Sequence, residues 1–220
     1  MNRSAAVSIA TVVGALVLIV AVALLVVRPW ESAPAAQAPA ASGAAAPELV
    51  DETTHLLTDA GPDAPVVVEF FDYECPGCGS FQPVVEDLVD RYGAQVTFAV
   101  RYFPLPSHSN ALPAAVAAEA AAQQDAFAEM HTMLFDRQQE WRGSDATATF
   151  RGYAEELGLD MAAFDAAVAD PDTLDRVAFD ANAGIALGVQ STPTFYVDGE
   201  QVDLEDFDDV ETAIQAALGE

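Results

Sequence analysis

No lysine occurs anywhere in the 220 residues, and eight arginines face 35 acidic residues, for a formal net charge of −27. Every acidic residue lies after Trp30, with only six of the arginines. A chain so poor in cations offers no basic track along phosphates, which excludes nucleic acid as a partner. The acid reads as a solvated surface rather than a device for choosing partners. Cysteine is equally scarce. Cys75 and Cys78 are the only two, too few for a disulfide scaffold. They are also too few for a zinc site unless His55, His108 or His131 converge on them. No internal repeat is evident.

Long apolar runs, by contrast, are present at one end. Residues 5–27 carry no charge and are dominated by Val, Ala, Leu and Ile, long enough for a helix to span about 30 Å of hydrocarbon. A secretory signal is the rival, because small residues at 35–38 offer cleavage sites, but its apolar region is usually only about 7 to 15 residues. The expectation is therefore an uncleaved single-pass cell-membrane anchor over 7–27. Residues 1–6 would be a short cytoplasmic tail, with the catalytic domain outside the cytoplasm. Residues 28–47, almost all Ala, Pro, Ser, Gly and Gln, read as a tether with no apolar face to bury. The folded domain is expected over 48–220, opening with a short helix over 48–57.

The chain is organised around residues 66–78, VVVEFFDYECPGC. The first six are β-branched, apolar or aromatic apart from Glu69, a pattern that predicts a buried strand. Beyond the cysteines, apolar residues at 81, 84, 85, 88 and 89 mark one face of a helix. Both cysteines thus stand where a strand becomes a helix. A helix start leaves N–H groups free and carries partial positive charge, so Cys75 at the cap is the candidate nucleophile, stabilised as a thiolate. Pro76 suits the first helical position, and Cys78, one turn on, faces inward to resolve a mixed disulfide. The alternative, an inert disulfide, is weakened by how little chain entropy a two-residue loop closes.

Residues 95–103 predict a second strand, parallel to the first. A helix capped by residues 107–111 is expected to run on past Phe127 to Phe135, and at least two more helices follow between 147 and 189. Tyr153, Leu157, Leu159, Phe164, Val168, Leu174, Val177 and Phe179 are the core candidates there. Thr194 to Val197 and Gln201 to Leu204 read as strands about a tight Asp198-Gly199 turn, and Phe207, Val210, Ile214 and Leu218 as a closing amphipathic helix. Alternation puts Glu69 inside the sheet with Val67 and Phe71, where an unpaired carboxylate is costly and its pKa rises; the alternative is a carboxylate turned to solvent at an edge strand. Pro193, unable to donate to a ladder, suits the start of a strand, as a cis device or as an ordinary trans proline. Glu74 is expected to be exposed and without a role. Tyr73 and Phe81 are core or, if exposed, grips for apolar substrate segments. His108 reads as a helix-capping or solvent residue, with His55 and His131 weaker candidates still.

Strand, C-x-x-C, helix, an acid six residues before the first cysteine, and S-T-P-T-F at 191–195 together resemble the thioredoxin superfamily. The P-L-P-S-H-S-N-A passage at 104–111 and the long insertion, about 107–190, resemble its DsbA-like branch. Many relatives carry a further cysteine in the helix at 117–121, which this chain lacks. The resemblance implies a thioredoxin-like α/β fold with an all-helical insertion, and a thiol:disulfide oxidoreductase whose only redox group is the Cys75/Cys78 pair. It also implies that Glu69 is the buried acid that accepts and returns the Cys78 proton, and that Pro193 is cis and packed on the cysteines. Thr192 would then offer backbone groups to a bound peptide, with Pro76 and Gly77 as further substrate contacts. Unfolded exported proteins would be the substrates, and a membrane quinone-linked oxidase of the DsbB or vitamin K epoxide reductase type the reoxidant. The rivals are the same chemistry run as a reductase, and a redox-silent tethered holdase.

Overall fold

A computed structural model of the chain describes residues 48–219. The central strand, β2 (Val66–Phe71), pairs in parallel with β3 (Thr97–Tyr102), with Glu69 opposite Val100. Its other side pairs antiparallel with β4 (Thr194–Val197), which places Phe195 opposite Glu69. Two-residue strands close the sheet, β1 (His55–Leu56) on β3 and β5 (Glu200–Gln201) on β4, in the order β1-β3-β2-β4-β5. The β4–β5 turn runs through Asp198 and Gly199, both at positive φ, as a tight hairpin requires.

Helix α1 (Pro76–Tyr92) follows β2, and its Phe81, Val85 and Leu88 pack with Val67 and Phe195. The last helix, α8 (Asp209–Leu218), closes the same face with Val210 and Ile214. On the opposite face Val68, Phe70, Ala99 and Tyr196 form a second core. All remaining helices lie between β3 and β4: α2 (Ala111–Ala122), α3 (Phe127–Asp136), α4 (Gln138–Trp141), α5 (Thr147–Glu156), α6 (Met161–Ala169) and α7 (Pro171–Leu187). α2 sits at their centre, and most of its buried side chains are alanines, small enough for several helices to approach it at once. Its neighbours supply the bulk through Met130, Leu134, Trp141, Phe150 and Phe164.

Several expectations are corrected. The helix expected over 48–57 does not form, because local side chains compete for its backbone. Asp51 accepts from the Thr53 N–H (2.8 Å) and hydroxyl (2.6 Å), while Arg101 takes the Glu48 carbonyl (2.8 Å). The helix expected to run from 111 to 135 breaks after Ala122, where Asp125 turns left-handed and the Ala126 N–H reaches back to the Ala121 carbonyl. Val168, Leu174 and Phe179 are exposed rather than core, since α6 and α7 each bury only one face; Phe179 lies against the Arg101 guanidinium instead. The single-pass membrane location, with the catalytic domain outside the cytoplasm, is likewise not upheld. Among the described residues no helix is long and apolar enough to cross a membrane, the longest being α1 and α7 at 17 residues with charges among them. The tail, the anchor over 7–27 and the tether over 28–47 lie outside the described residues.

Candidate active site

Cys75 is the N-cap of α1, in extended conformation (φ −66°, ψ 123°), with Pro76 at the first helical position. Its sulfur is nearly covered and that of Cys78 is fully buried, and both are free thiols. The segment before β4 lies against them. The Thr192–Pro193 peptide is cis, and the Cys75 thiol donates to the Thr192 carbonyl (3.3 Å). Gly77 faces the same segment so closely that a Cβ there would lie 3.3 Å from Pro193 Cδ and 3.5 Å from the Cys75 sulfur. Cys75, Cys78, Gly77, Thr192 and Pro193 are thus brought together, with Pro76 beside them on the helix.

The two thiols are pushed apart in acidity. Hydrogen bonding from Cys78 is the main influence holding the Cys75 pKa down to about 5, against burial, aided by Thr192 and the Cys78 and Gly77 amides. The Thr192 hydroxyl, buried without a partner in the dithiol, is the side-chain donor that a Cys75 thiolate would take up. Cys78 moves the other way, well above its ordinary value, through burial and then through its bond to Cys75. Glu69 is buried on the central strand rather than turned outward at an edge, and burial followed by the charge on Cys75 raises its pKa to about 8. It therefore carries a proton at neutral pH and acts on Cys78, whose own pKa it helps to raise.

The turn between β2 and α1 is held by residues that sequence reasoning passed over. Asp72 is buried; its carboxylate accepts from the Glu74 N–H (2.8 Å) and Leu105 N–H (3.0 Å) and lies 2.7 Å from His108 Nδ1. Burial raises its pKa despite those donors, and its own N–H faces the Cys78 sulfur at 3.5 Å. Glu74, expected to be exposed, is buried: Asn110 donates through its backbone N–H (2.5 Å) and Nδ2 (3.0 Å), and Gly143 through its N–H (2.9 Å). Burial alone would raise the Glu74 pKa, but these donors outweigh it and the net shift is downward. Gln138 donates from Nε2 to the carbonyls of Tyr73 and Cys75, each at 2.8 Å. The one available signal was the P-L-P-S-H-S-N-A passage, which contains both His108 and Asn110.

Glu74→Ala is expected to cost about 2 kcal/mol, because it leaves the two buried Asn110 donors without their carboxylate; equilibrium unfolding in urea measures it. The wild-type share of that stability holds above the ordinary carboxylate pKa of 4.5 and fades as pH falls through the lowered value.

The other expected participants make no hydrogen bond to the sulfurs. Tyr73 and Phe81 are buried and offer no exposed grip. His131 is buried with its Nδ1 3.0 Å from the Tyr73 hydroxyl, and burial holds its pKa down to about 3. His55 lies 2.7 Å from Glu119. Among the described residues no cluster of His, Cys, Asp and Glu is arranged to hold a metal ion. A cavity of about 710 Å³, lined by Leu112, Val116, Phe150, Phe164 and Leu174, lies within the helical insertion and includes none of the cysteine-site residues.

A strand-turn-helix carrying two split thiols, faced by a cis-proline segment, is a thioredoxin-like architecture built around the cysteine pair. A family model described as Thioredoxin matches residues 58–216, and the chain belongs to that family. Among solved structures, a thioredoxin-like oxidoreductase from Silicibacter pomeroyi DSS-3 superposes with a TM-score of 0.67 at 27% identity, covering 78% of this chain and 96% of that one. BdbD from Bacillus subtilis shares the fold with a TM-score of 0.66 at 23% identity, over 79% and 96% of the two chains. MdbA, a thiol-disulfide oxidoreductase from Corynebacterium diphtheriae, does so at 0.61 and 21%, over 73% and 89%. A Na(+)/H(+) antiporter NhaA 3 from Salinispora tropica is 44% identical over 144 residues, which are 64% of this chain and 21% of the antiporter. The chain spans about a fifth of the length of such curated relatives.

Proposed function

We infer that the protein donates disulfides to exported proteins. The observation that carries this reading is the separation of the two thiols. A Cys75 sulfur with a pKa of about 5 is a thiolate at neutral pH, which stabilises the reduced pair and so makes the oxidised pair a stronger oxidant. Relative to a thiol of ordinary pKa near 9, ionisation at pH 7 favours the reduced form about a hundredfold, or about 60 mV toward the oxidising end.

In the forward reaction a substrate thiolate attacks Cys75 of the Cys75/Cys78 disulfide, forming a mixed disulfide, and Cys78 leaves with the bond electrons. Cys78, with its raised pKa, takes a proton from Glu69 as it leaves. A second substrate thiolate then attacks the substrate sulfur of the mixed disulfide. Cys75 departs as the stabilised thiolate, the substrate gains one disulfide, and the protein is left as the dithiol. The cis segment at Thr192 and Pro193, with Pro76 and Gly77, would hold the substrate chain against Cys75. Return of the dithiol to the disulfide requires an electron acceptor, for which the family resemblance suggests a membrane quinone-linked oxidase of the DsbB or vitamin K epoxide reductase type.

The reduction potential tests the direction. Equilibration of the full chain with glutathione buffers, followed by thiol trapping, is expected to give about −120 to −180 mV, the range of disulfide donors and isomerases. About −270 mV, the thioredoxin-like end, would replace donation with reduction. A pair that never equilibrates would leave the holdase reading in its place.

A further inference from the structure

Gln138 comes from α4, a four-residue helix of the insertion, yet its side chain ends against the turn that carries Cys75. It is buried, and both of its partners there, the Tyr73 and Cys75 carbonyls, can only accept. The amide orientation is therefore forced, with nitrogen toward the turn. The approach depends on a second residue. Gly79 in α1 lies directly beneath the amide, where a Cβ would stand 2.5 Å from Gln138 Oε1 and 2.8 Å from Cδ and Nε2. Glycine in a helix interior costs about 1 kcal/mol relative to alanine, and no turn or positive φ calls for it here. Its place is accounted for by what it makes room for.

The two carbonyls flank the cap. The Cys75 carbonyl already accepts the Gly79 N–H (3.1 Å) as the first helical bond, and the Gln138 N–H is a second donor on the same oxygen. Fixing this oxygen and that of Tyr73 fixes the peptide planes on both sides of Glu74 and Cys75, and with them the direction in which the Cys75 sulfur leaves the backbone.

We propose that Gln138 is a positioning residue for Cys75: seated over Gly79, its amide holds the cap so that the Gly77 and Cys78 N–H groups point at the Cys75 sulfur. The helical insertion then sets the reactivity of the nucleophile through one side chain. This rests on the thiol:disulfide reading of the same site, but it is tested without turnover.

The Cys75 thiolate is titrated by its ultraviolet absorbance in the reduced full chain, for wild type, Gln138→Ala, Gly79→Ala and the double variant, with urea unfolding alongside. Gln138→Ala is expected to raise the Cys75 pKa by about one unit, a tenfold loss of thiolate affinity. Gly79→Ala is expected to raise it comparably by pushing the amide off the turn, although alanine favours the helix. The double variant is expected to match Gln138→Ala alone, because both changes remove one interaction. Gly79→Ala that leaves the pKa at its wild-type value overturns the proposal, as does a double variant whose shift is the sum of the singles, or a Gln138→Ala that lowers stability with an unmoved pKa. Should Gln138→Ala fail to fold, Gly79→Ala alone still decides. A wild-type Cys75 with an ordinary thiol pKa would instead remove the basis of the disulfide-donor reading.

Discussion

Serine at position 75 is expected to abolish disulfide transfer to a reduced, unfolded protein substrate, lowering the rate by more than about a thousandfold. A hydroxyl cannot form the mixed disulfide, and nothing else near the cis segment carries sulfur except Cys78, which is buried behind the turn. Cys78→Ser should behave differently. Cys75 keeps its thiol at the cap of α1, so the variant is expected to accumulate a mixed disulfide that non-reducing electrophoresis reveals, with release left to external thiols. Equal behaviour of the two variants would mean that the sulfurs do not divide the work as their acidities imply. A protein that protects unfolded chains from aggregation without exchange would keep that protection in Cys75→Ser.

Glu69→Gln is expected to slow transfer by about a hundredfold, the usual worth of a placed proton donor, while making the protein more stable. The two effects share one cause. With a pKa of about 8 against the ordinary 4.5, the folded chain keeps a proton that the unfolded chain releases. Stability therefore falls as pH rises from about 4.5 to about 8 and is level beyond. At pH 8 the full cost is on the order of 4 kcal/mol as an upper bound, and glutamine, neutral at every pH, removes it. The wild-type transfer rate should fall as pH climbs past about 8, when Glu69 has lost its proton, and the variant should lack that inflection. An inflection near 8 that survives in Glu69→Gln would assign the proton to another group.

The parts of this site written into short stretches were legible. Six strand-forming residues ending in C-P-G-C announce β2 and the start of α1, and a proline set directly before Thr194 announces the segment that meets them. Glu69 was legible because alternation along a strand assigns a face without knowledge of the partner strands. Glu74 and Gln138 were not, because their partners are remote in sequence: Asn110 and Gly143 lie 36 and 69 residues beyond Glu74, and the Tyr73 and Cys75 carbonyls 65 and 63 residues before Gln138. The stretch before β1 failed for a local reason: its apolar spacing fits a helix, but Asp51 and the threonines after it bond their own backbone first. Val168, Leu174 and Phe179 were misplaced because a hydrophobic residue at helical spacing names a stripe and not the fraction of it that neighbours cover.

The outermost strands of the sheet are two residues long, and β5 lies fully exposed. A long bare strand is a template on which another chain can lay itself down, hydrogen bond by hydrogen bond. Unfolded clients, which the proposed function implies, would bring extended, sticky backbone to the protein at every turnover. Edges this short give such chains almost nothing to extend, so a client can be held for one exchange and let go without seeding a fibre on its own catalyst.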